Sequence, residues 1–393
     1  MDPNKALDGR FHFCGSPSLG PLSCVAAYLR AGGVPRWEQL ARGHHLPTHR
    51  CRTAIRAVLP ALGLGPGAEV LAPAFNCGSE IAAILAGGAS VRMFDVTPDA
   101  RIDAATIASR LTRKTKAVYV IHYFGWPLDL APVRALCDSE GLLLLEDCAL
   151  SLFCRDHGGW LGRHGDVSFY SVMKTFGVPD GGITVSRTPL DLRFPRSPTI
   201  ELAKECARLA KRAVVRSLSR SPIGAPGALA RGRRYSPIAK SAGGREPMPR
   251  AYHYDDAEMT GARMSRVTRG IIGAANPDRI IAARRANYQR LVRGIAGVSG
   301  LRPLFTDLPE GVCPLVMPLV TADRDRWMSG LSALGAHPTA WWSGYHPDLD
   351  FSEFPNACAL KDSLIALPLH QQLNETDMDF LTGCVHSVAA DLR

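Results

Sequence analysis

Lys174 and Asp147, separated by 27 positions, are the two side chains best placed for covalent chemistry. Lys174 closes the stretch Gly165-Asp166-Val167-Ser168-Phe169-Tyr170-Ser171-Val172-Met173-Lys174, and Asp180-Gly181-Gly182 follows it. Asp166–Ser171 alternates with β-branched and aromatic residues and predicts a buried strand; Gly181–Ser186 predicts another. A lysine at the end of a core strand, beside a Pro-Asp-Gly-Gly turn, is an unusual place for a solvated ammonium. It suits an amine whose pKa falls so that it can attack a carbonyl. Upstream, Leu142–Leu145 runs into Glu146-Asp147, which sets a carboxylate at the carboxyl end of an apolar strand. A lysine for a Schiff base and an aspartate for a pyridinium nitrogen are what pyridoxal phosphate (PLP) requires of its protein.

A third group lies earlier. Thr48 is a candidate N-cap, and Ile55, Val58, Leu59 and Leu62 then recur at helical spacing up to Gly63. Cys51-Arg52-Thr53 near that helix start would bring free amides, a guanidinium and a hydroxyl to one spot, a phosphate cradle in physical terms. An ordinary capped helix with a solvent-facing arginine is the alternative. His122 ends a strand, where it either orients a cofactor face or is a hydrogen-bonded core histidine. Trp341-Trp342 could wall a pocket, although packing within a smaller lobe is the favoured reading, and His370 reads as structural. The dispersed histidines form no metal-ligand pattern, so no metal site is expected.

These residues need a scaffold. Val70–Pro73, Ser90–Asp95, Lys116–Tyr123 and Leu142–Asp147 read as strands. Gly78–Ala86, Ile102–Leu111 and a helix capped by Asp129 and closed by Gly141 fall between them. That alternation predicts an α/β fold, a mostly parallel sheet covered by helices on both faces. Such sheets bind ligands at the carboxyl ends of their strands, where Asp147, His122 and the loop after Pro73 all fall, and this favours the phosphate reading of Cys51–Thr53. Ile200–Leu218 predicts a basic amphipathic helix. Asn276-Pro277 opens a long helix through Ile281, Tyr288, Leu291, Val292 and Ile295, and shorter strands (Cys313–Val320, Ser363–Leu367) and helices (Asp323–Leu334, Glu375–Ala390) complete a smaller α+β lobe. The expected organisation is an N-terminal segment 1–45 with a short helical stretch near Trp37–Arg42, a large domain 46–275 and a small C-terminal domain 276–393.

With 393 residues and a hydrophobic fraction of 46%, the chain has the make-up of a globular protein. No apolar run approaches the roughly 20 residues that span a bilayer, and Met1-Asp2-Pro3-Asn4-Lys5 has no secretory pattern, so a soluble cytoplasmic enzyme is expected. The 11 cysteines include no Cys-x-x-Cys pair and read as reduced core thiols. The formal charge of +10 resides in residues 187–250, where 15 Lys/Arg face 4 Asp/Glu. The rest of the chain is then about neutral, which argues against nucleic acid as the partner of the fold. A solvated excursion, a lid over an anionic substrate, a subunit contact or a contact with an acidic surface are the open readings of this basic insertion, densest at Arg231-Gly232-Arg233-Arg234.

The ordered set Glu146-Asp147-Cys148-Ala149, Lys174 and Asp180-Gly181-Gly182 resembles the DegT/DnrJ/EryC1/StrS aminotransferases of the PLP fold type I superfamily. The likeness extends back through Cys51-Arg52-Thr53-Ala54-Ile55, Gly65–Val70, Pro73-Ala74-Phe75 and His122–Gly125, and forward to Arg263-Met264-Ser265 and Leu367-Pro368-Leu369-His370. It implies that Lys174 carries PLP and shuttles protons, and that Asp147 pairs with the pyridine nitrogen. It implies also that Cys51, Arg52 and Thr53 hold the phosphate, and that Phe75, Cys77 and His122 lie at the cofactor. Where the family has a serine five residues before the lysine this chain has Phe169, so Ser171 is the nearer hydroxyl, a phosphate or lysine-loop contact. Leu150 stands where the family usually has Gln or His, and Cys77 where many members stack an aromatic ring. Residues 187–250 align with nothing.

The expected activity is PLP-dependent transamination of a keto group, on a nucleotide-linked sugar or related biosynthetic intermediate, with glutamate as donor and a homodimer as the working unit. Leu150 and Cys77 motivate one rival, a PLP-dependent elimination, dehydration or condensation. The basic segment motivates another, a non-catalytic binding protein on a PLP-enzyme fold.

Overall fold

The apolar strand ending in Glu146-Asp147 lies at the middle of a seven-stranded sheet, with three strands to either side. The computed structural model describes residues 17–18, 20–30, 43–196, 199–219, 235–237, 245–248 and 262–392. The predicted stretch near Trp37–Arg42 and the cluster Arg231–Arg234 lie outside them.

In chain order come α1 (Pro21–Arg30), β1 (His44–Thr48), α2 (Cys51–Ala61), β2 (Glu69–Pro73), α3 (Ser79–Ala86), β3 (Ser90–Phe94), α4 (Ala104–Ser109), β4 (Thr115–Ile121), α5 (Ala131–Glu140) and β5 (Leu143–Asp147). A small hairpin, β6 (Arg155–Asp156) and β7 (Gly159–Trp160), precedes β8 (Val167–Ser171), the one-turn α6 (Val172–Thr175) and β9 (Gly182–Ser186). Helices α7 (Thr199–Ser219), α8 (Arg266–Gly273) and α9 (Pro277–Gly294) lead to β10 (Arg302–Pro303), β11 (Val316–Val320), α10 (Arg324–Ala333), β12 (Thr339–Ala340), α11 (Pro355–Ser363), β13 (Leu364–Pro368) and α12 (Glu375–Asp391). The large sheet runs β1-β9-β8-β5-β4-β2-β3, and a four-stranded antiparallel sheet runs β10-β11-β13-β12. The expected α/β architecture is present: β3, β2, β4, β5 and β8 are mutually parallel, and β9 and β1 close one edge antiparallel.

Side chains alternate across the sheet as the pleat demands. Val70, Tyr119, Ile121 and Leu145 enter one core with α2 and α3, whereas Leu71, Val118, Val120 and Leu144 enter the other with residues of α4 and α5. The alternation puts Asp147 on the α2 side and Glu146 on the opposite side. The first core continues into the four-stranded sheet through Met317, Leu319, Ile365 and Leu367, so both sheets share one apolar interior.

Two local expectations differ from the structure. Thr48 ends an edge strand instead of capping α2; its hydroxyl donates to Arg50 O at 3.0 Å, and the extended N-cap is Arg50. Strand β1 escapes sequence reading because it contains Pro47, which an edge strand tolerates since one side of its ladder is unpaired. The N-cap of α5 is Leu130, although Asp129 still accepts the Ala131 amide at 3.1 Å. The basic helix expected at Ile200–Leu218 is α7, anchored by Arg216, which is buried and donates to Ser18 Oγ and Gln372 Oε1. Among the described residues no helix is long and apolar enough to cross a membrane.

Candidate active site

A cleft of about 300 Å³ opens at the carboxyl ends of β5 and β8. Asp147 enters it from the last residue of β5, Ser171 from the last residue of β8 and Lys174 from the turn after β8. The first turn of α2 contributes Arg50, Cys51 and Arg52, and the β2–α3 turn contributes Cys77, Ser79 and Glu80. Leu150 and Trp342 line it as well.

Asp147 is fixed on both oxygens. Tyr119 donates to Oδ2 at 2.7 Å and the Ala149 amide to Oδ1 at 2.7 Å. Burial raises its pKa above the ordinary aspartate value; the Lys174 charge and these two hydrogen bonds pull it back in part, and Glu80 pushes it up further. Lys174 lines the cleft and is exposed to water there. Among the described residues its ammonium makes no hydrogen bond or ion pair, and it lies 6.0 Å from the Trp342 ring centre. Burial works to lower its pKa, but Cys77, Asp147, Glu80 and Cys51 together outweigh burial and leave it raised. The expectation of a depressed lysine pKa is therefore corrected for the protein alone: negative and negative-going neighbours surround the amine before anything else is bound.

The start of α2 is a ready anion site. No side chain caps it, its first-turn amides point out of the helix, and Arg50 and Arg52 flank it. Gly182 lets strand β9 pass directly behind it, since a Cβ there would collide with the Arg50–Cys51 peptide. Thr53 sits one layer deeper and does not line the cleft; its hydroxyl is buried with no hydrogen-bond partner among the described residues.

The Asp-Gly-Gly turn holds this arrangement from below. Asp180 is fully buried and accepts from the Ser265 amide and hydroxyl, both at 2.8 Å, from Thr268 Oγ1, and from His49 Nδ1 at 3.3 Å. Ser265 is the N-cap of α8, which explains why Arg263-Met264-Ser265 belongs to the same pattern as Asp180.

Two expected cofactor residues are elsewhere. His122 is 0% exposed on the opposite face of the sheet; its Nε2 pairs with Glu146 at 2.9 Å and its Nδ1 accepts the Leu128 amide at 3.0 Å. It is a core histidine, because a position one residue out of phase with Asp147 faces away from the cleft. Glu146 also accepts the amides of Gly162, His164 and Gly165 at 2.7, 3.0 and 2.7 Å. Phe75 is buried behind the cleft wall, its ring 5.2 Å from that of Trp342, and its carbonyl accepts from Tyr123. Sequence reasoning missed Tyr119, Glu80 and Arg50. It favoured packing over pocket for Trp342, which does both.

The sequence model of the DegT/DnrJ/EryC1/StrS aminotransferase family matches residues 38–191, the span that carries Asp147, Lys174 and the α2 start. Over this span, which is less than half of the chain, the chain is similar to that family. Its members are PLP-dependent aminotransferases, and PLP is the cofactor of the enzyme. Similar solved structures include the aminotransferase TlmJ from Streptoalloteichus hindustanus, at 24% identity and a TM-score of 0.63, over 100% of this chain and 97% of that one. Another is an aminotransferase from Psychrobacter cryohalolentis, at 19% identity and a TM-score of 0.66, over 96% of this chain and 99% of that one. A third is Helicobacter pylori PseC, an aminotransferase involved in the biosynthesis of pseudoaminic acid, at 14% identity and a TM-score of 0.67, over 97% and 100% of the two chains. At these identities the likeness establishes the shared fold.

The residues present fit PLP. An uncapped helix start, a carboxylate locked at a strand end and an amine with no hydrogen bond or ion pair among the described residues line one cleft.

Proposed function

We propose that the cleft at Lys174 converts a keto group to an amine, on a nucleotide-linked sugar or a related biosynthetic intermediate, with glutamate as the amino donor. The observation that carries this reading is that Asp147, at the end of β5, and Lys174, just past the end of the neighbouring parallel strand β8, meet the start of α2 in one cleft. The family match over residues 38–191 supports amino transfer, and the involvement of PseC in the biosynthesis of pseudoaminic acid supports the substrate class.

PLP, when bound, supplies an electron-poor ring that takes up the electrons released at the donor's α-carbon. Lys174 Nζ would hold the cofactor and, once free, would accept the donor's α-proton and return it. Asp147, oriented by Tyr119 and Ala149, would supply the negative charge that keeps the ring nitrogen protonated. The α2 amides with Arg52 and Ser171 would hold the phosphate, and Trp342 and Cys77 would restrict water at Nζ. A homodimer is part of the same reading. Leu22, Val25 and Leu29 on α1, exposed by 86%, 58% and 74%, support a covering partner.

The decisive experiment records the absorbance of the protein with PLP before and after borohydride, in wild type and Lys174→Ala. A band bleached by borohydride in wild type and missing from the variant is expected, followed by stoichiometric 2-oxoglutarate on adding glutamate. A band without 2-oxoglutarate overturns glutamate as donor, and no band overturns the role of Lys174.

A further inference from the structure

Lys361 sits near the end of α11, where a lysine reads as an ordinary surface residue, yet it is 0% exposed. Its ammonium donates to three backbone carbonyls: Asn76 O at 2.7 Å, Gly344 O at 2.9 Å and Trp342 O at 3.1 Å. An ammonium has three hydrogens, so its donor capacity is filled. The rings of Tyr345 and Phe351 approach the same nitrogen, with centres at 5.3 and 5.4 Å, which suits a desolvated cation.

The three carbonyls come from two segments that both wall the cleft. Asn76 belongs to the turn after β2, which goes on to deliver Cys77, Ser79 and Glu80. Asn76 itself braces that turn, its side-chain amide donating to Pro73 O and Ala74 O. Trp342 and Gly344 belong to the turn after β12. Trp342 has φ of 55°, a left-handed conformation that a bulky aromatic residue adopts only when its surroundings impose it. The Lys361 bond to its carbonyl, with packing on Phe75 and Tyr123, is what imposes it. In that conformation the indole faces Lys174.

We propose that Lys361 is a positioning residue: its buried ammonium ties the Asn76–Glu80 turn to the Trp342–Gly344 turn and so sets the two walls that close over Lys174. The inference rests on the reading of this cleft as the cofactor site.

The tie is pH-dependent. Burial lowers the Lys361 pKa to about 8, against the opposing pull of Glu80, Cys77, Cys358 and Asp362, the charged and titratable groups around it together with the Tyr345 phenol. Above that pH a neutral amine keeps two hydrogens for three carbonyls, and the tie that holds the two segments to each other is weakened. The sign of the stability effect is opposite. Between about 8 and the unfolded lysine value, the unfolded chain binds more protons than the folded one, so this group's contribution to stability rises with pH. Loosened walls without lost global stability distinguish positioning from support of the fold.

The test is hydrogen exchange by mass spectrometry on the PLP-free protein, following peptides over 74–80 and 341–345. In wild type, both are expected to accelerate together by about tenfold beyond intrinsic base catalysis between pH 7 and 9.5, with β4 and β5 unchanged. Lys361→Met is expected to show the fast rates at pH 7, to lose the pH step and to weaken PLP about tenfold by absorbance titration. The wild-type arm needs no substitution and decides the matter even if Lys361→Met folds poorly. Overturning results are no step in either peptide, a step in only one, or a parallel step across the whole chain. If wild type fails to bind PLP, the cofactor reading falls, while the paired exchange step still decides whether Lys361 ties the two turns.

Discussion

Tyr119 reaches across from β4 to donate its phenol hydrogen to Asp147 Oδ2 at 2.7 Å, two positions short of the residue directly opposite Asp147 in the ladder. Because residues two apart share a face, Tyr119 and Asp147 emerge on the same side of the sheet, and the phenol approaches the carboxylate from below the cleft. The tyrosine is wholly buried and its own pKa is raised well above the ordinary value, by burial first and by the Asp147 charge next, so it remains a donor at any working pH.

Tyr119→Phe removes one of the hydrogen bonds that oppose the burial-driven rise of the Asp147 pKa. A hydrogen bond to a charged acceptor contributes about 1.5–3 kcal/mol, so PLP affinity at neutral pH is expected to drop by roughly tenfold or more. Its acid limb should also move to higher pH, since affinity is lost as pH falls through the pKa of Asp147 and the variant raises that pKa. Titrating PLP into both proteins from pH 5 to 8 checks this; superimposable profiles would remove Tyr119 from the site.

Glu146 governs stability, not chemistry. Burial pushes its pKa up, but His122 and the amides of Gly162 and Gly165 outweigh that and leave it lowered. A lowered carboxylate stabilises the fold above its unfolded value, and the contribution disappears as pH falls through the folded value. Glu146→Gln turns one acceptor oxygen into a donor facing amide donors and is expected to cost about 3 kcal/mol at pH 7. Urea unfolding should show that difference shrinking as the solution is acidified through the carboxylate range. A difference independent of pH would mean that packing around Glu146, and not its charge, holds the loop 162–165.

The parallel sheet, Asp147 and Lys174 were legible because strand periodicity and strand-end placement are local properties of the sequence. His122 was ambiguous for the same reason: one residue of phase decides which face a strand-end side chain takes, and that phase is fixed by Ile121 pairing with Asp147. Tyr119 reads as an ordinary core aromatic because nothing local says that a carboxylate lies two residues along the next strand. Trp342, Lys361 and Asp180 are further still from legibility. Their partners lie 17 to 285 positions away in the Lys361 network, and 85 to 131 positions away for Asp180. Strand β1 was hidden by Pro47, whose presence in a ladder only its edge position permits.

Glu80 offers one substitution with two linked readouts. Its Oε2 accepts the Cys77 thiol at 2.5 Å and its Oε1 accepts the Cys77 amide at 3.0 Å, so it anchors the residue that stands where a stacking ring would be expected. Burial raises the Cys77 pKa to about 12, with the Glu80 charge the next contribution, and the same charge helps to hold Lys174 above its ordinary value. Removing the charge lowers both. In Glu80→Gln more thiolate exists at pH 8, and alkylation of Cys77 by iodoacetamide, mapped on its peptide, is expected to speed up by about tenfold, since the thiolate is the nucleophile. More free amine exists at Lys174 too, so the borohydride-sensitive band should form faster at pH 7, and its rate should level off at a lower pH than in wild type. Both effects should appear together because both are electrostatic. Faster alkylation with an unchanged rate of band formation would mean that the substitution had merely opened the β2–α3 turn, and Glu80 would then be a structural anchor with no hold on the amine.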